Sequence, residues 1–252
     1  MSELGYKRIG TGDKNIVFLH ELMGNHENYT SSLPYFDLEK HTLYLVDLRG
    51  YGLSYDLKGK YSCDEASKDV KNLIEALELK NVHLLAHSMS TVIAQNIALL
   101  SNNIVSLILI SPISPAGIKT SEKSQAKLLH DMQNNPKNIE NIVRSASSRH
   151  NETWVQNRIQ MATSASRCEA RVGYMKMYLE SDFKEEAKKL SLPIFIIVGK
   201  YDFVIFSLKT VKRLFEEIYE NITLIECQEA GHYVMLECPV YFATQVEKFI
   251  KE

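Results

Sequence analysis

Short, continuous apolar runs alternate along this chain with segments whose apolar residues recur every three or four positions. Asn15 to Leu19, Leu43 to Asp47, Val82-His-Leu-Leu85, Val105 to Ile110, Pro193 to Val198 and Ile222 to Glu226 read as strands. Their lack of a polar alternation marks strands covered on both faces, as in a parallel sheet. Between them lie helical patterns. Ser62 with Glu65 makes a capping box, opening a helix whose Ala66, Val70, Leu73, Ile74 and Leu77 face the sheet. Met89, Val92, Ile93, Ile97 and Leu100 recur at helical spacing, and Pro239 suits the first turn of a last helix with Phe242, Val246, Phe249 and Ile250 on one side. The alternation predicts an α/β fold with a mostly parallel central sheet flanked by helices.

After Ile110 the pattern changes. Ser111-Pro-Ile-Ser-Pro-Ala-Gly closes a strand, and the next seventy-odd residues are polar, charged and helical in pattern. Candidate helices there are Ser121 to Met132, Ile139 to Ser147, Thr153 to Met161 and Ala165 to Leu179. This divides the chain into a core, 1–113 with 191–252, and an insertion, 114–190. Long inserts in compact domains usually carry function.

One apolar stretch bears on membrane insertion. Asn81 to Ile118 contains no Asp, Glu, Lys or Arg, a gap of 38 residues. A spanning helix needs about 20 continuous apolar residues, and His87-Ser88, Gln95-Asn96 and Ser101-Asn-Asn103 interrupt this one. It reads as strand, helix, strand at the centre of the sheet. The balance of 29 basic and 31 acidic residues, net −2, gives no attraction to nucleic acid or anionic lipid. Cys63, Cys168, Cys227 and Cys238 show no metal-ligand spacing and read as reduced thiols. Met-Ser-Glu-Leu-Gly-Tyr-Lys lacks an apolar export signal, so a cytoplasmic protein, monomer or homodimer, is expected.

The chemistry concentrates at strand ends. Ala86-His87-Ser88-Met89-Ser90 sits at a strand–helix junction with a small residue two places either side of Ser88. A serine there matches a nucleophile elbow, in which a strained turn holds Oγ out above the sheet. Its base and orienting acid should follow in the order acid, then His. Gly199-Lys-Tyr-Asp202 ends one strand in a carboxylate, and Ala230-Gly231-His232 follows the next. Ligands of open α/β sheets bind at the carboxyl ends of strands, so Ser88, Asp202 and His232 would meet on one edge.

On these residues the chain resembles the α/β-hydrolase family, and the resemblance extends over most of its length. His20-Glu21-Leu22-Met23-Gly24 corresponds to the family's oxyanion loop, and Asp47-Leu-Arg49-Gly50-Tyr-Gly52-Leu-Ser54 matches a second family motif intact. Gly199 to Asp202 matches the acid turn, while Gly231-His232 with Glu237-Cys-Pro239 matches the final motif. The resemblance implies a helical cap (lid) at 114–190 and a triad of nucleophile Ser88, acid Asp202 and base His232. It also implies an oxyanion hole from the backbone N–H groups of Leu22 and Met89, with His20 propping that loop. Glu21 replaces the family's glycine; its carboxylate must turn away or pair with a cation, for which Arg49 is a candidate.

Of the other histidines, His83 and His87 fall on the strand face opposite Ser88, and His26, His41, His130 and His150 belong to no constellation and read as surface. Trp154, Tyr174 and Tyr178, with Met161, Met175 and Met177, are the bulky cap residues available to line a pocket. The expectation is a serine carboxylesterase acting on a small acyl substrate through an acyl-enzyme, with no cofactor and no metal. Carbon–carbon bond hydrolysis, a lyase reaction, peptidase or lipase activity, and a ligand receptor that retains the triad remain open. A serine nucleophile argues against dehalogenase and epoxide hydrolase chemistry, for which the family uses Asp.

Overall fold

A computed structural model of the chain describes residues 4–146 and 149–251. Seven strands form one sheet in the order β1-β3-β2-β4-β5-β6-β7. They are β1 (Tyr6–Ile9), β2 (Lys14–Leu19), β3 (His41–Val46), β4 (Val82–His87), β5 (Ile104–Ile110), β6 (Ile194–Gly199) and β7 (Ile222–Cys227). Only β1 runs antiparallel, against β3; the other neighbours are parallel. The helices are α1 (Cys63–Ala76), α2 (Ser90–Leu100), α3 (Glu122–Asn134), α4 (Lys137–Ala146), α5 (Glu152–Ser164), α6 (Cys168–Glu180), α7 (Lys184–Ala187), α8 (Leu208–Glu216), α9 (Val234–Glu237) and α10 (Pro239–Lys251).

The apolar runs behave as double-sided burial requires. Alternate residues of β4 feed two separate cores: Leu84 and Ala86 pack with α1 and α2, while Leu85 packs with α10. The capping box at Ser62 is half made. Ser62 Oγ accepts the Glu65 N–H at 3.2 Å, but the Glu65 carboxylate takes the N–H of Tyr61, not of Ser62. A 3₁₀ segment over His26–Tyr35, absent from the periodicity, covers the α10 face and buries Tyr29 against Phe18.

Between β5 and β6 the chain passes through α3 to α7. The four expected helices are present with displaced ends: the first three start within one or two residues of expectation, α5 runs three residues further, and the fourth starts at Cys168 because Ala165 caps the end of α5; the Ser147 end expected for the second lies outside the described residues, as does Met1–Glu3 of the amino terminus. Ser121 and Asn151 cap α3 and α5, each side chain accepting an N–H of the first turn. The insertion is stitched to the core at the Gly50–Gly52 loop: Gly52 N–H donates to Ala165 O at 2.8 Å and Arg167 N–H to Gly50 O at 3.0 Å. Among the described residues no helix is long and apolar enough to cross a membrane.

Candidate active site

Ser88 occupies the turn between β4 and α2 with φ of +52°. A left-handed conformation in a residue with a Cβ is strained, and the flanking structure holds it: Ser88 N–H donates to Ile110 O at 2.9 Å, and Thr91 returns both its N–H and its hydroxyl to Ser88 O. The small neighbours Ala86 and Ser90 are fully buried, which explains their size. Ser90 hydroxyl donates to His20 O, fastening the turn to the loop after β2.

Asp202 and His232 leave the ends of β6 and β7. Gly199 allows those ends to meet, because a Cβ there would lie 2.0 Å from Gly231 O. His232 Nδ1–H faces both Asp202 oxygens, at 2.9 and 3.0 Å. Asp202 is fixed in turn by the Ser111 hydroxyl at 2.6 Å and the Phe203 N–H at 2.7 Å. Ser111 itself sits at φ +44°, a second strained turn at the sheet edge. Burial works to lower the His232 pKa, but the charge of Asp202 and its hydrogen bond, helped by Glu21 and Glu237, carry it above the usual 6.5.

Ser88 and His232 open onto one cavity of about 230 Å³. Among the described residues Ser88 Oγ and His232 Nε2 make no hydrogen bond, and unliganded sites commonly leave this contact long. Leu22 borders the same cavity. The N–H groups of Leu22 and Met89 likewise find no partner among the described residues, and Leu22 shares the cavity with Ser88 while Met89 follows it in sequence. His20 props this loop: its Nδ1–H donates to Glu21 O at 2.8 Å and its Nε2 accepts the Leu48 N–H at 3.1 Å.

Apart from Glu21, which also borders it, the rest of the cavity wall is largely apolar and comes from both parts of the chain. Ile113, Phe203, Ile205 and Phe206 line it from the core, and Leu128, Ile142, Met175 and Tyr178 from the insertion. Tyr178 thus reaches the cavity, whereas Trp154 and Tyr174 do not. Tyr174 is fully buried between Tyr51 and Tyr61, at ring distances of 5.8 and 5.6 Å. Trp154 stacks on His150 at 4.2 Å and leans on Tyr233. A helical period tells which residues share a face, but not which neighbour that face meets.

Four other expectations are corrected. Arg49 does not reach Glu21; it forks onto Asp69 at 2.9 and 2.8 Å. The cation on Glu21 is Arg158 of α5, at 3.2 Å. His26 is buried and its Nδ1–H donates to Asp47 at 2.6 Å, while His41 is buried against Glu247 at 3.1 Å. His150 bonds Glu237 at 2.9 Å. All four pairings join residues remote in sequence, where spacing carries no signal. His87 does lie on the face of β4 away from Ser88, but the His232 loop crosses that face. His87 Nε2–H donates to His232 O at 2.9 Å, so His87 braces the His232 loop from below. Burial and the nearby His232 hold its pKa far below 6.5, keeping it neutral. All four cysteines are free, and among the described residues no cluster of three or more His, Cys, Asp or Glu is placed to hold a metal ion.

The family model described as the alpha/beta hydrolase fold matches residues 14–191. The 3-oxoadipate enol-lactonase 2 of Acinetobacter baylyi is 22% identical over 257 residues, covering 98% of this chain and 93% of the relative. Among solved structures, a bromoperoxidase from Bacillus anthracis superposes with TM-score 0.88 at 19% identity, covering 98% of this chain and 95% of that one. An esterase from Exiguobacterium antarcticum gives TM-score 0.86 at 22% identity, covering 99% and 96%. At these identities the structural likeness speaks for the fold alone.

Proposed function

We propose that this chain, which belongs to the alpha/beta hydrolase fold family, is a serine hydrolase that cleaves a small, largely apolar carboxylic ester through an acyl-enzyme. The observation that carries this reading is the shared cavity: Ser88, His232 and the Leu22 turn border one apolar space, with Asp202 behind the imidazole. Ser88 Oγ attacks the ester carbonyl as His232 Nε2 takes its proton. The oxyanion that forms is held by the Leu22 and Met89 N–H groups, which stabilise charge present only in the tetrahedral state. Collapse expels the alcohol, which leaves with the proton from Nε2. Water then attacks the acyl-enzyme with His232 again as base. A lactone is an internal ester, so the same attack and deacylation serve an ester and the kind of ring named for the enol-lactonase relative, the released alcohol there staying tethered to the acyl group.

Residues 114–190 act in this reading as a lid that shapes the apolar wall. The test is turnover. The wild-type protein hydrolyses short p-nitrophenyl esters many times over and takes a fluorophosphonate label on the Ser88 peptide, and Ser88→Ala loses both. Binding without turnover would point to a receptor. Turnover that survives Ser88→Ala would place the nucleophile elsewhere.

A further inference from the structure

Glu21 puts a carboxylate where the oxyanion loop of this family usually has a glycine, next to the N–H that the proposed reaction needs. Yet Glu21 is 2% exposed and has no free oxygen to offer a ligand. One oxygen accepts the Met23 N–H, and the other accepts Asn28 Nδ2–H at 2.9 Å and Arg158 Nη2–H at 3.2 Å. Gly24 admits the Asn28 amide, since a Cβ there would lie 2.2 Å from Asn28 Nδ2. Arg158, 6% exposed, gives its other amino group to Asn28 Oδ1 at 2.8 Å. Its guanidinium then lies over the ring of Tyr233, 4.4 Å from the centroid, one residue past His232. One side chain of the insertion therefore touches both halves of the catalytic machinery, the loop carrying Leu22 and the loop carrying His232.

We propose that Arg158 is a positioning residue for the hydrolysis inferred above, on which this inference rests. It cancels the Glu21 charge beside the developing oxyanion and clamps the Glu21–Met23 turn so that the Leu22 N–H stays directed into the site. A buried carboxylate left without its partner is strongly unfavourable, so the clamp makes an ordered oxyanion hole conditional on a docked α5. Arginine suits the task because its fork bonds Glu21 and Asn28 together while its plane lies on Tyr233; lysine cannot do all three. The groups facing His232 are Asp202 after β6, Glu21 after β2, neutral His87 from β4, and Glu237 of α9 with Arg149 and His150 beside it. Removing Arg158 leaves the Glu21 carboxylate unopposed in that set, which favours the protonated imidazole.

The experiment follows fluorophosphonate labelling and p-nitrophenyl acetate hydrolysis from pH 5 to 9 in wild type, Arg158→Met, Arg158→Lys and the double variant Glu21→Gln/Arg158→Met. Arg158→Met should lower kcat by about tenfold or more, up to the roughly 10²–10³-fold loss seen when an oxyanion-hole donor is removed outright, and move the acidic limb of kcat/KM to higher pH. Arg158→Lys should recover part of the rate and most of the limb. Glu21→Gln/Arg158→Met removes both charges and keeps an acceptor for the Met23 N–H, so it should restore the limb and most of kcat. If Arg158→Met is too unstable to assay, the double variant against wild type still decides, with a collapsed rate in a folded double variant overturning the proposal. An Arg158→Met variant with unchanged rate and limb would also overturn it, as would a rate loss with no limb shift and no rescue, the mark of a structural latch. A wild type that neither labels nor turns over would instead overturn the hydrolase reading itself.

Discussion

The carboxyl edge of the sheet and the inserted helices border the same cavity but are built in opposite ways. At the sheet edge, β5 and β6 are buried almost throughout, and Ser88 and Ser111 hold left-handed backbone that only a rigid frame can impose. In the insertion, α3 buries one residue of thirteen, Met132, and leaves Leu128 at the cavity 43% exposed. Strained, fully bonded groups supply reacting atoms with fixed geometry. A lightly packed helix such as α3 supplies a stretch of wall whose shape changes cheaply. Chemistry should therefore be sensitive to changes at the edge and at Arg158, the insertion residue proposed to brace it, and selectivity to changes in the cavity-facing side chains of the insertion.

The largest effect should come from the edge. His232→Ala removes the proposed base, and members of a catalytic triad act as a unit, so kcat should fall by about 10⁴-fold or more. In the wild type, kcat/KM for an activated ester rises through one ionisation as His232 loses its proton. Because that pKa lies above the usual 6.5, the midpoint of the rise should lie above 6.5 too. A midpoint at or below 6.5, with chemistry limiting, would mean that Asp202 does not hold the imidazole as described.

Ser111→Ala should have a smaller effect at the same edge. It takes from Asp202 the hydroxyl 2.6 Å away and leaves the Phe203 N–H and His232 in place. A hydrogen bond to a charged acceptor contributes about 1.5–3 kcal/mol, and part of this is lost in the free enzyme as well. A fall in kcat of about tenfold with KM little changed is expected. An unaffected kcat would show that the acid is held by its backbone alone.

How much of this was legible in the sequence follows the same division. The strands, the elbow and the acid and histidine turns could be read because each is a local signal: an apolar run, a small neighbour, a carboxylate just past a strand. Ser111 carried no such mark, since a serine after a strand is common and its partner lies 91 residues away. Glu21 with Arg158, His26 with Asp47 and His41 with Glu247 are likewise decided by how elements stack. Bulk and helical setting offer Trp154 and Tyr174 as pocket residues, but Trp154 of α5 is taken up by His150 and Tyr233, and α6 is apolar on several faces, with Tyr174, Met175, Met177 and Leu179 all buried. The face that meets the core could not be told from the face that meets the cavity.

Cavity-lining residues of the insertion test the other half of the contrast. Leu128→Ala and Met175→Ala enlarge the wall without touching a catalytic group. Each should shift the ratio of kcat/KM between butyrate and octanoate p-nitrophenyl esters by several-fold, as one or two methylenes in an apolar pocket do, while acetate hydrolysis stays within about twofold. Equal losses on all three esters would place these residues in the chemistry. A flat profile would remove the insertion from substrate selection.

The smallest expected effect separates burial in the insertion from function there. Tyr174 is fully buried, and its hydroxyl finds no hydrogen-bond partner among the described residues. A polar group buried without a partner costs about 1–3 kcal/mol, so Tyr174 contributes through its ring, packed between Tyr51 and Tyr61. Tyr174→Phe keeps the ring and discards the unpaired oxygen. It should leave kcat/KM for every ester unchanged and hold or raise stability by up to about 1 kcal/mol, read as the midpoint of urea unfolding. Tyr174→Ala opens a cavity beneath α6 and should cost about 3–5 kcal/mol, as for other large aromatic truncations. If Tyr174→Phe instead altered ester selectivity at unchanged stability, the hydroxyl would be a substrate contact. The insertion would then hold a second fixed, bonded contact to the site besides Arg158.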